Sequence, residues 1–252
     1  RFVDFMRVLV PMAGDDTTPE GEQVNIYGNH VGSWNFAATA YLNRWKVKIY
    51  YEHYFDDHSQ MFFQYGRWKD GHIGLEITFP KNRFIDTFVY EGLGTKDQTG
   101  PMLYDSFWGE FEEQISAKDN YYNHYLYQGW QHWGMGIGNP LLPGPIYNKN
   151  GQITFISNRV LAHHIGFCGS PCQSLSYRML LSYSRHWGTY DNPLNEIKKQ
   201  FNSLFEVTYA PQQLTGWSFT VSGAMDRGSI LGNNYGGMLV IRKQGIIKSG
   251  NK

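Results

Sequence analysis

The sequence predicts an all-β chain whose antiparallel strands cross a membrane as a β-barrel. Apolar and polar residues alternate with period two in successive segments of strand length, and long connections alternate with short ones. Aromatic residues make up 17% of the chain, with 28 Gly and 18 Tyr, beside a mean hydropathy of −0.47. A membrane strand has one apolar and one polar face, with aromatic girdles at both interfaces, so this composition fits it. No run approaches the roughly 18 apolar residues of a membrane helix, which leaves strands as the spanning elements.

Charge, cysteine content and the first residues of the chain bear on nucleic-acid binding, metal binding and secretion. The 252 residues carry 22 basic and 22 acidic side chains, so no net field attracts nucleic acid. Cys168 and Cys172 are either ordinary thiols or a local disulfide across a turn, and no further Cys or His flanks them to complete a metal site. The chain opens on Arg1-Phe2-Val3, which has no secretory character, so we expect a signal segment left off or an internal boundary.

The alternating segments give the predicted strands in order. The clear segments span 33–42, 46–52, 72–79, 175–184, 205–209 and 217–226. The weaker segments span 1–10, 83–92, 158–168 and 236–247. That makes about ten strands, each close to the roughly 9–11 residues that a tilted strand needs to cross a bilayer.

The connections between these segments are of two kinds. The short ones span 43–44, 80–82, 169–174 and 211–214. The long ones span 11–30, 56–70, 93–157, 186–202 and 227–235. Strict alternation of the two kinds predicts tight periplasmic turns and long extracellular loops, with 93–157 the longest. It requires the strand-like stretch 61–67 to be loop.

A soluble β-sandwich or a lipocalin-like barrel is the alternative fold, because it also alternates and also has hairpins. Such a fold normally keeps its connections of similar length at both ends, which favours the membrane barrel.

Two of the long connections are predicted to hold short helices. Ser106 can cap a helix over 107–116, in which Phe107, Phe111 and Ile115 share one face. Asn192 and Pro193 can open a short helical turn. We interpret both as lids on a single barrel domain over 1–252.

The densest group of candidate binding residues is the aromatic stretch 121–140 of the longest loop. Flat aromatic faces flanked by amide and imidazole groups suit sugars, whose C–H faces stack on rings while their hydroxyls form hydrogen bonds. The alternative is that these rings pack the loop against the barrel, since a loop of this length must bury something to be ordered.

Other motifs predict no catalysis and no cofactor. The glycines over 134–138 lack dinucleotide spacing and a following helix. His163 and His164 are neighbours on a strand and point to opposite faces, so they do not form a metal pair. No Gly-x-Ser-x-Gly or His-Glu-x-x-His motif occurs. Glu91 and Asp105 could face each other across the barrel mouth as in a glycosidase, but sequence fixes no distance between them. We expect no enzyme.

In several short motifs the chain resembles the Wzi-type capsule assembly family of outer-membrane proteins, in its Bacteroidetes-like form. The motifs are Tyr54-Phe55-Asp56-Asp57, Met61-Phe62-Phe63-Gln64, Asp70-Gly71, Gly74-Leu75-Glu76, Tyr90-Glu91, Thr95-Lys96-Asp97-Gln98-Thr99-Gly100-Pro101, Tyr121-Tyr122-Asn123, Gly138-Asn139-Pro140-Leu141, Asn158-Arg159 and His163-His164-Ile165-Gly166. They cover most of the chain from about residue 28 onward, and their order is more specific than any one of them.

The resemblance implies a barrel of about eighteen strands that acts as a surface lectin, so this chain is expected to supply its C-terminal portion. It implies an outer-membrane location, with capsular or exopolysaccharide, lipopolysaccharide and other outer-membrane proteins as partners. The candidate glycan contacts are Tyr122, Asn123, Trp130, His132 and Trp133, with Lys96 and Arg159 for acidic sugars. The alternative functions are a porin or channel, an outer-membrane enzyme, and a structural subunit of a surface complex.

Overall fold

A computed structural model of the chain describes residues 2–10, 12–24, 27–28, 30–56, 58–61, 70–82, 84–104, 109–113, 115, 117–124, 126 and 129–245. The helices are α1 Phe2–Leu9, α2 Glu20–Val24, α3 His58–Met61 and a 3-10 turn Pro145–Tyr147. The strands are β1 Gly32–Leu42, β2 Trp45–Phe55, β3 Gly71–Thr78, β4 Thr87–Gly94, β5 Gln131–His132, β6 Met135–Gly136, β7 Val160–Cys172, β8 Leu175–Gly188, β9 Pro193–Tyr209, β10 Trp217–Gly228 and β11 Asn234–Lys243.

Nine of these strands form one antiparallel sheet, in the order β1-β2-β3-β4-β7-β8-β9-β10-β11. Each strand pairs with its neighbour along the chain, so the sheet is a meander; β5 and β6 form a separate hairpin between β4 and β7. The all-β prediction is confirmed. The sheet is open among the described residues, because β1 and β11 are its edges and do not pair with each other.

The two ends of the sheet differ. We call the end where β2, β4, β8 and β10 terminate the loop rim, and the opposite end the turn rim. At the turn rim β1 and β2 are joined by two residues, and Asn43 has a φ of 57°, as a tight hairpin requires. At the loop rim β4 and β7 are joined by the connection 95–159, which also carries the β5–β6 hairpin.

The strand register gathers apolar side chains on one face of the sheet. Directly paired residues share a face, and successive residues alternate between faces. One paired row across the nine strands is Ala40, Val47, Ile77, Phe88, Phe167, Met179, Phe205, Gly223 and Gly237. A second is Ala38, Ile49, Leu75, Tyr90, Ile165, Leu181, Ser203, Met225 and Tyr235. We call this side the apolar face.

The apolar face is largely uncovered. Phe36 near one edge is 57% exposed, and Phe205 in the middle of the sheet is 51% exposed. The opposite side, the polar face, carries a paired row of very different character. That row is Ala37, Tyr50, Gly74, Glu91, His164, Ser182, Asn202, Asp226 and Asn234. Large exposed apolar side chains on one face, and polar ones on the other, are the pattern that lipid contact requires of a sheet.

The buried core lies at the loop rim, where the connection 95–159 packs onto the polar face. Leu93 and Ala162 are directly paired on β4 and β7, and Phe155 of the connection packs with them at 2% exposure. Tyr122 and Leu142 complete the contact from the same connection. The chain therefore buries its apolar core between a loop and one end of the sheet.

Two predicted elements have a different structure. The segment 1–10 was expected to be a strand, but α1 is helical, with Phe2, Phe5 and Leu9 at helical spacing and Arg7 Nη1 3.8 Å from Asp4 Oδ1. The helical turn expected after Asn192 is part of β9. Its apolar spacing suits a short helix as well as a strand, and pairing with β8 decides for the strand.

The strict alternation of long and short connections is also wrong. Because β8 extends to residue 188 and β9 begins at 193, the expected loop 186–202 shrinks to 189–192, and the next loop at this rim is only 229–233. The helix expected over 107–116 is not found in residues 109–113, and Ile115 forms a β-bridge with Tyr104. The rest of that segment (residues 107–108, 114 and 116) lies outside the described residues. So does the stretch 62–67, which was expected to be loop. Among the described residues, no helix is both long enough and apolar enough to cross a membrane.

Replacing Phe155 by Ala should release the connection from the sheet. The lost packing and the cavity should lower the free energy of local unfolding by about 3–5 kcal/mol. Limited proteolysis of the detergent-solubilised chain across a urea series measures this energy. Ile153→Ala, an exposed apolar residue of the same connection, is the control; equal cleavage of the two variants would contradict the packing described here.

Candidate functional site

A buried carboxylate fixes the first residues of the connection at the loop rim. Asp70, 1% exposed just before β3, accepts hydrogen bonds from the backbone N–H groups of Asp97, at 3.2 Å, and Gln98. Burial raises the pKa of Asp70 to about 6, although the two N–H donors act in the opposite direction. The last residues are held as well, because Thr95 Oγ1 donates to Asn158 O at 2.6 Å and accepts from Val160 N at 3.1 Å.

Buried polar groups continue this anchoring into the middle of the connection. Tyr121 donates its hydroxyl to Gln60 Oε1 at 2.7 Å, and its backbone carbonyl accepts from Asn158 Nδ2 at 2.9 Å. Burial raises the pKa of Tyr121 well above its usual value, so the hydroxyl stays protonated. Buried groups satisfied in this way hold a loop in one arrangement.

Three of the predicted sugar contacts serve this internal packing. Tyr122 is buried, its ring lies 5.1 Å from that of Phe155, and its hydroxyl accepts from Asn139 N at 3.1 Å. Asn123 pairs its side-chain amide with the backbone of Phe155, donating at 2.8 Å and accepting at 2.8 Å. Trp130 packs against the core beside Tyr122. These three residues shape the connection: Tyr122 is buried, and Asn123 and Trp130 are partly buried.

The other two aromatic-stretch candidates lie on the β5–β6 hairpin and face solvent. Trp133 and Gly134 form its turn with φ values of 53° and 80°, both positive as in a type I′ turn. Trp133 is 83% exposed, and the ring of His132 lies edge-on to it at 6.1 Å. A bulky residue at positive φ is strained, and such strain is concentrated at functional sites.

Two hydrogen bonds support the hairpin, one within it and one to the 3-10 turn. Gly134 N donates to Gln131 Oε1 at 2.7 Å, and Gly134 O accepts from Ile146 N of the 3-10 turn at 2.7 Å. Trp133 is therefore an aromatic ring held outward on a supported turn.

Lys96 and Arg159 are brought together with residues that sequence reasoning missed. Arg159 Nε donates to Lys96 O at 2.9 Å, and its guanidinium carbon lies 3.9 Å from the ring centroid of Tyr190. Lys96 Nζ lies 5.6 Å from the ring centroid of Trp187, and Arg185 lies 5.5 Å from the same ring. We call Lys96, Arg159, Arg185, Trp187 and Tyr190 the rim cluster.

The rim cluster carries an excess of positive charge. It contains three cations, Lys96, Arg159 and Arg185, and the Oδ1 atom of the neighbouring Asp97 is 3.5 Å from Lys96 Nζ. Tyr190 donates its hydroxyl to Asp97 O at 2.7 Å, and its pKa is raised mainly by burial, while Arg159 acts to lower it. Guanidinium and ammonium donors beside aromatic rings suit a sugar that carries a carboxylate or another anionic group.

The polar face holds a second group of titratable residues. His72 lies 3.5 Å from Glu91 Oε1 through Nε2 and 3.7 Å from Glu52 Oε2 through Nδ1, and Tyr50 donates its hydroxyl to Glu91. Glu91 is thus engaged on the sheet, while Asp105, its expected partner, lies outside the described residues. The described residues contain no group of three or more His, Cys, Asp or Glu placed to hold a metal ion.

His163 and His164 lie on opposite faces of β7. His163 Nδ1 is 2.8 Å from the hydroxyl of Tyr90 on the apolar face, and His164 Nδ1 is 2.7 Å from Ser182 Oγ on the polar face.

The structure thus divides the seven predicted site residues into three places. Tyr122, Asn123 and Trp130 pack the connection, His132 and Trp133 form the exposed hairpin, and Lys96 and Arg159 belong to the rim cluster. No family model, curated protein or solved structure matches this chain. The resemblance to the Wzi-type family stays a prediction.

The raised pKa of Asp70 predicts a pH dependence of stability. The folded chain binds this proton more tightly than the unfolded chain, because the pKa rises from 3.8 to about 6 on folding. The contribution of Asp70 to the free energy of unfolding should therefore fall as the pH rises from about 4 to about 6, by on the order of 3 kcal/mol. Urea unfolding of the wild-type chain and Asp70→Asn at pH 4, 5, 6 and 7 measures it. Parallel curves for the two chains would contradict the assignment.

Proposed function

We propose that this chain is an outer-membrane β-barrel, or a large part of one, that binds surface polysaccharide and retains capsule or exopolysaccharide at the cell. The observation that supports it most is the apolar face, which continues from strand to strand across the whole sheet while the opposite face is polar. In water such a face would leave Phe36, Ile49 and Phe205 more than half exposed, and acyl chains remove that cost at roughly 25 cal/mol per Å².

The barrel form follows from the sheet edges once the sheet is in lipid. Unpaired backbone groups are too costly in the hydrocarbon region, so the outer edges of β1 and β11 must be paired there. The nine described strands form an open sheet, and we propose that further pairing at its two edges closes the barrel.

The glycan-binding surface is proposed at the loop rim. The hairpin offers an exposed ring at Trp133, beside the imidazole of His132. The rim cluster adds Lys96 and Arg159 for anionic sugars, next to the rings of Trp187 and Tyr190. All of these residues except Trp187 and Tyr190 are predicted from sequence, and all lie in the connection, at the end of β8 or in the short loop that follows it.

A channel is the second candidate function, since Glu91, His164 and Asp226 line the polar face. The connection 95–159 packs over that same face at the loop rim, with Phe155 and Tyr122 against Leu93 and Ala162. This packing narrows any passage there and favours polysaccharide binding over conduction.

Replacing Trp133 by Ala should release polysaccharide without unfolding the chain. The ring makes no core contact, so its loss removes stacking of about 1–2 kcal/mol and should weaken polysaccharide binding by about tenfold. Cell-bound polysaccharide is measured against polysaccharide shed into the medium, with heat-modifiable migration as the test of folding. Met135→Ala, which removes an exposed apolar side chain from the same hairpin, is the control. Unchanged retention in Trp133→Ala would refute the hairpin as the contact.

The membrane orientation can be read from the native cysteines. Cys172 is exposed at the turn rim, where β7 meets β8, and we expect this rim on the periplasmic side. A membrane-impermeant maleimide should leave Cys172 unmodified in intact cells and modify it after osmotic rupture. Asn150→Cys, placed in the connection in a Cys168→Ser/Cys172→Ser background, should be modified in intact cells. Modification of Cys172 from outside intact cells would contradict the orientation.

A further inference from the structure

We propose that Arg185 and Lys199, the basic pair, bind the phosphate groups of lipid in the outer leaflet, as carried by the lipid A part of lipopolysaccharide. The proposal rests on the membrane placement proposed above. Arg185 is a member of the rim cluster, but the anionic-sugar contacts proposed there are Lys96 and Arg159, so the basic pair adds a lipid site beside them. Both residues project from the apolar face at the loop rim, on the adjacent strands β8 and β9.

The apolar face changes character in ordered steps toward the loop rim. The row Tyr90, Ile165, Leu181 is followed by the row Gly92, His163, Tyr183, Phe201, Arg227. The next row, about 7 Å further along the strands, is Gly94, Leu161, Arg185, Lys199. The three rows thus change from apolar to aromatic to basic side chains. A lipid leaflet changes in the same order, from acyl chains to the interface to the phosphate groups.

In the part of the chain that the structure describes, the basic pair has no acidic partner, although Arg185 lies over the ring of Trp187. Arg185 and Lys199 are directly opposite each other in the β8–β9 register, and like charges so placed destabilise a sheet. Among the described residues neither forms an ion pair, and Asp97, which lies beside the rim cluster, pairs with Lys96. Arg227 lies diagonally across from Lys199, one row nearer the aromatic residues, and adds a third positive charge. An anion bound between these side chains would remove the repulsion.

The face on which the pair lies identifies the source of that anion. Because Arg185 and Lys199 share a face with Leu161 and Tyr183, an anion that reaches them lies beside the lipid-facing band. Long basic side chains there can extend along apolar surface and keep their charged ends at the headgroup level. The guanidinium of Arg185 offers paired donors, which suit a phosphate.

The described residues of the turn rim include no such basic pair on the same face. The corresponding row there runs Leu175, Tyr209, Phe219 and Ile241. Lys243 lies nearby with its Nζ 5.4 Å from the ring centroid of Trp217, a single cation at an edge strand. The asymmetry assigns the phosphate-rich leaflet to the loop rim.

The test compares Arg185→Gln/Lys199→Gln with Lys198→Gln. Lys198 is the neighbour of Lys199 on β9, but it pairs with His186 on the polar face, so its substitution removes one lysine charge from the opposite face. Each full chain is inserted into vesicles and titrated with lipid A and with dephosphorylated lipid A, and free inorganic phosphate is added as a competitor. Wild-type chain and Lys198→Gln should bind lipid A about tenfold tighter than its dephosphorylated form, and the double variant should lose this preference.

Each outcome decides the proposal. A wild-type chain that inserts but binds the two lipids equally overturns it, as does a double variant that keeps the preference. Displacement of lipid A by millimolar inorganic phosphate would indicate a free-phosphate site and overturn the lipid source. Loss of lipid A preference with polysaccharide retention intact separates this site from the proposed glycan surface. A chain that fails to insert contradicts the membrane placement itself, and this proposal with it.

Discussion

The structure depends on a side-chain period of two, maintained through an unbroken antiparallel ladder. Because each strand pairs with its sequence neighbour, one register places every apolar row on the same side of the sheet. A slip of one residue in β8 would move Met179 and Leu181 to the polar face and Arg178 to the apolar one. The ladder also places Trp187 opposite Arg159, so the rim cluster exists only in this register.

The connection 95–159 is ordered by a different balance. Its described residues form only the two short strands β5 and β6, and it is held by buried polar contacts at both ends and by an apolar cluster between them. Asp70 is held by backbone N–H groups, which act to lower its pKa, but burial outweighs them and raises the pKa to about 6. The exposed β5–β6 hairpin packs on this anchored part of the connection. The residues that hold the connection are therefore different from the exposed residues of the hairpin.

The alternation of apolar and polar residues predicted most of the sheet, because a strand with one apolar face has apolar residues at every second position. The prediction failed where the spacing of apolar residues fits both a helix and a strand. Residues 2–9 were predicted as a strand from weak alternation, but they form α1. The start of β9 was predicted as a helical turn, but its pairing with β8 makes it a strand. Only part of the rim cluster was predicted from the sequence. Lys96 and Arg159 stood near recognisable motifs, whereas Trp187 and Tyr190 join them only through long-range pairing. Tyr122 shows the converse, since residue type does not tell a packing ring from a binding ring.

The odd number of strands in the meander has a geometric consequence. With nine strands that alternate in direction, β1 and β11 run the same way. Joining them directly would create a single parallel seam in a sheet whose other pairs are all antiparallel. A cylinder without that seam needs an odd number of intervening strands, whatever supplies them. Strand parity therefore constrains how this sheet can become a tube.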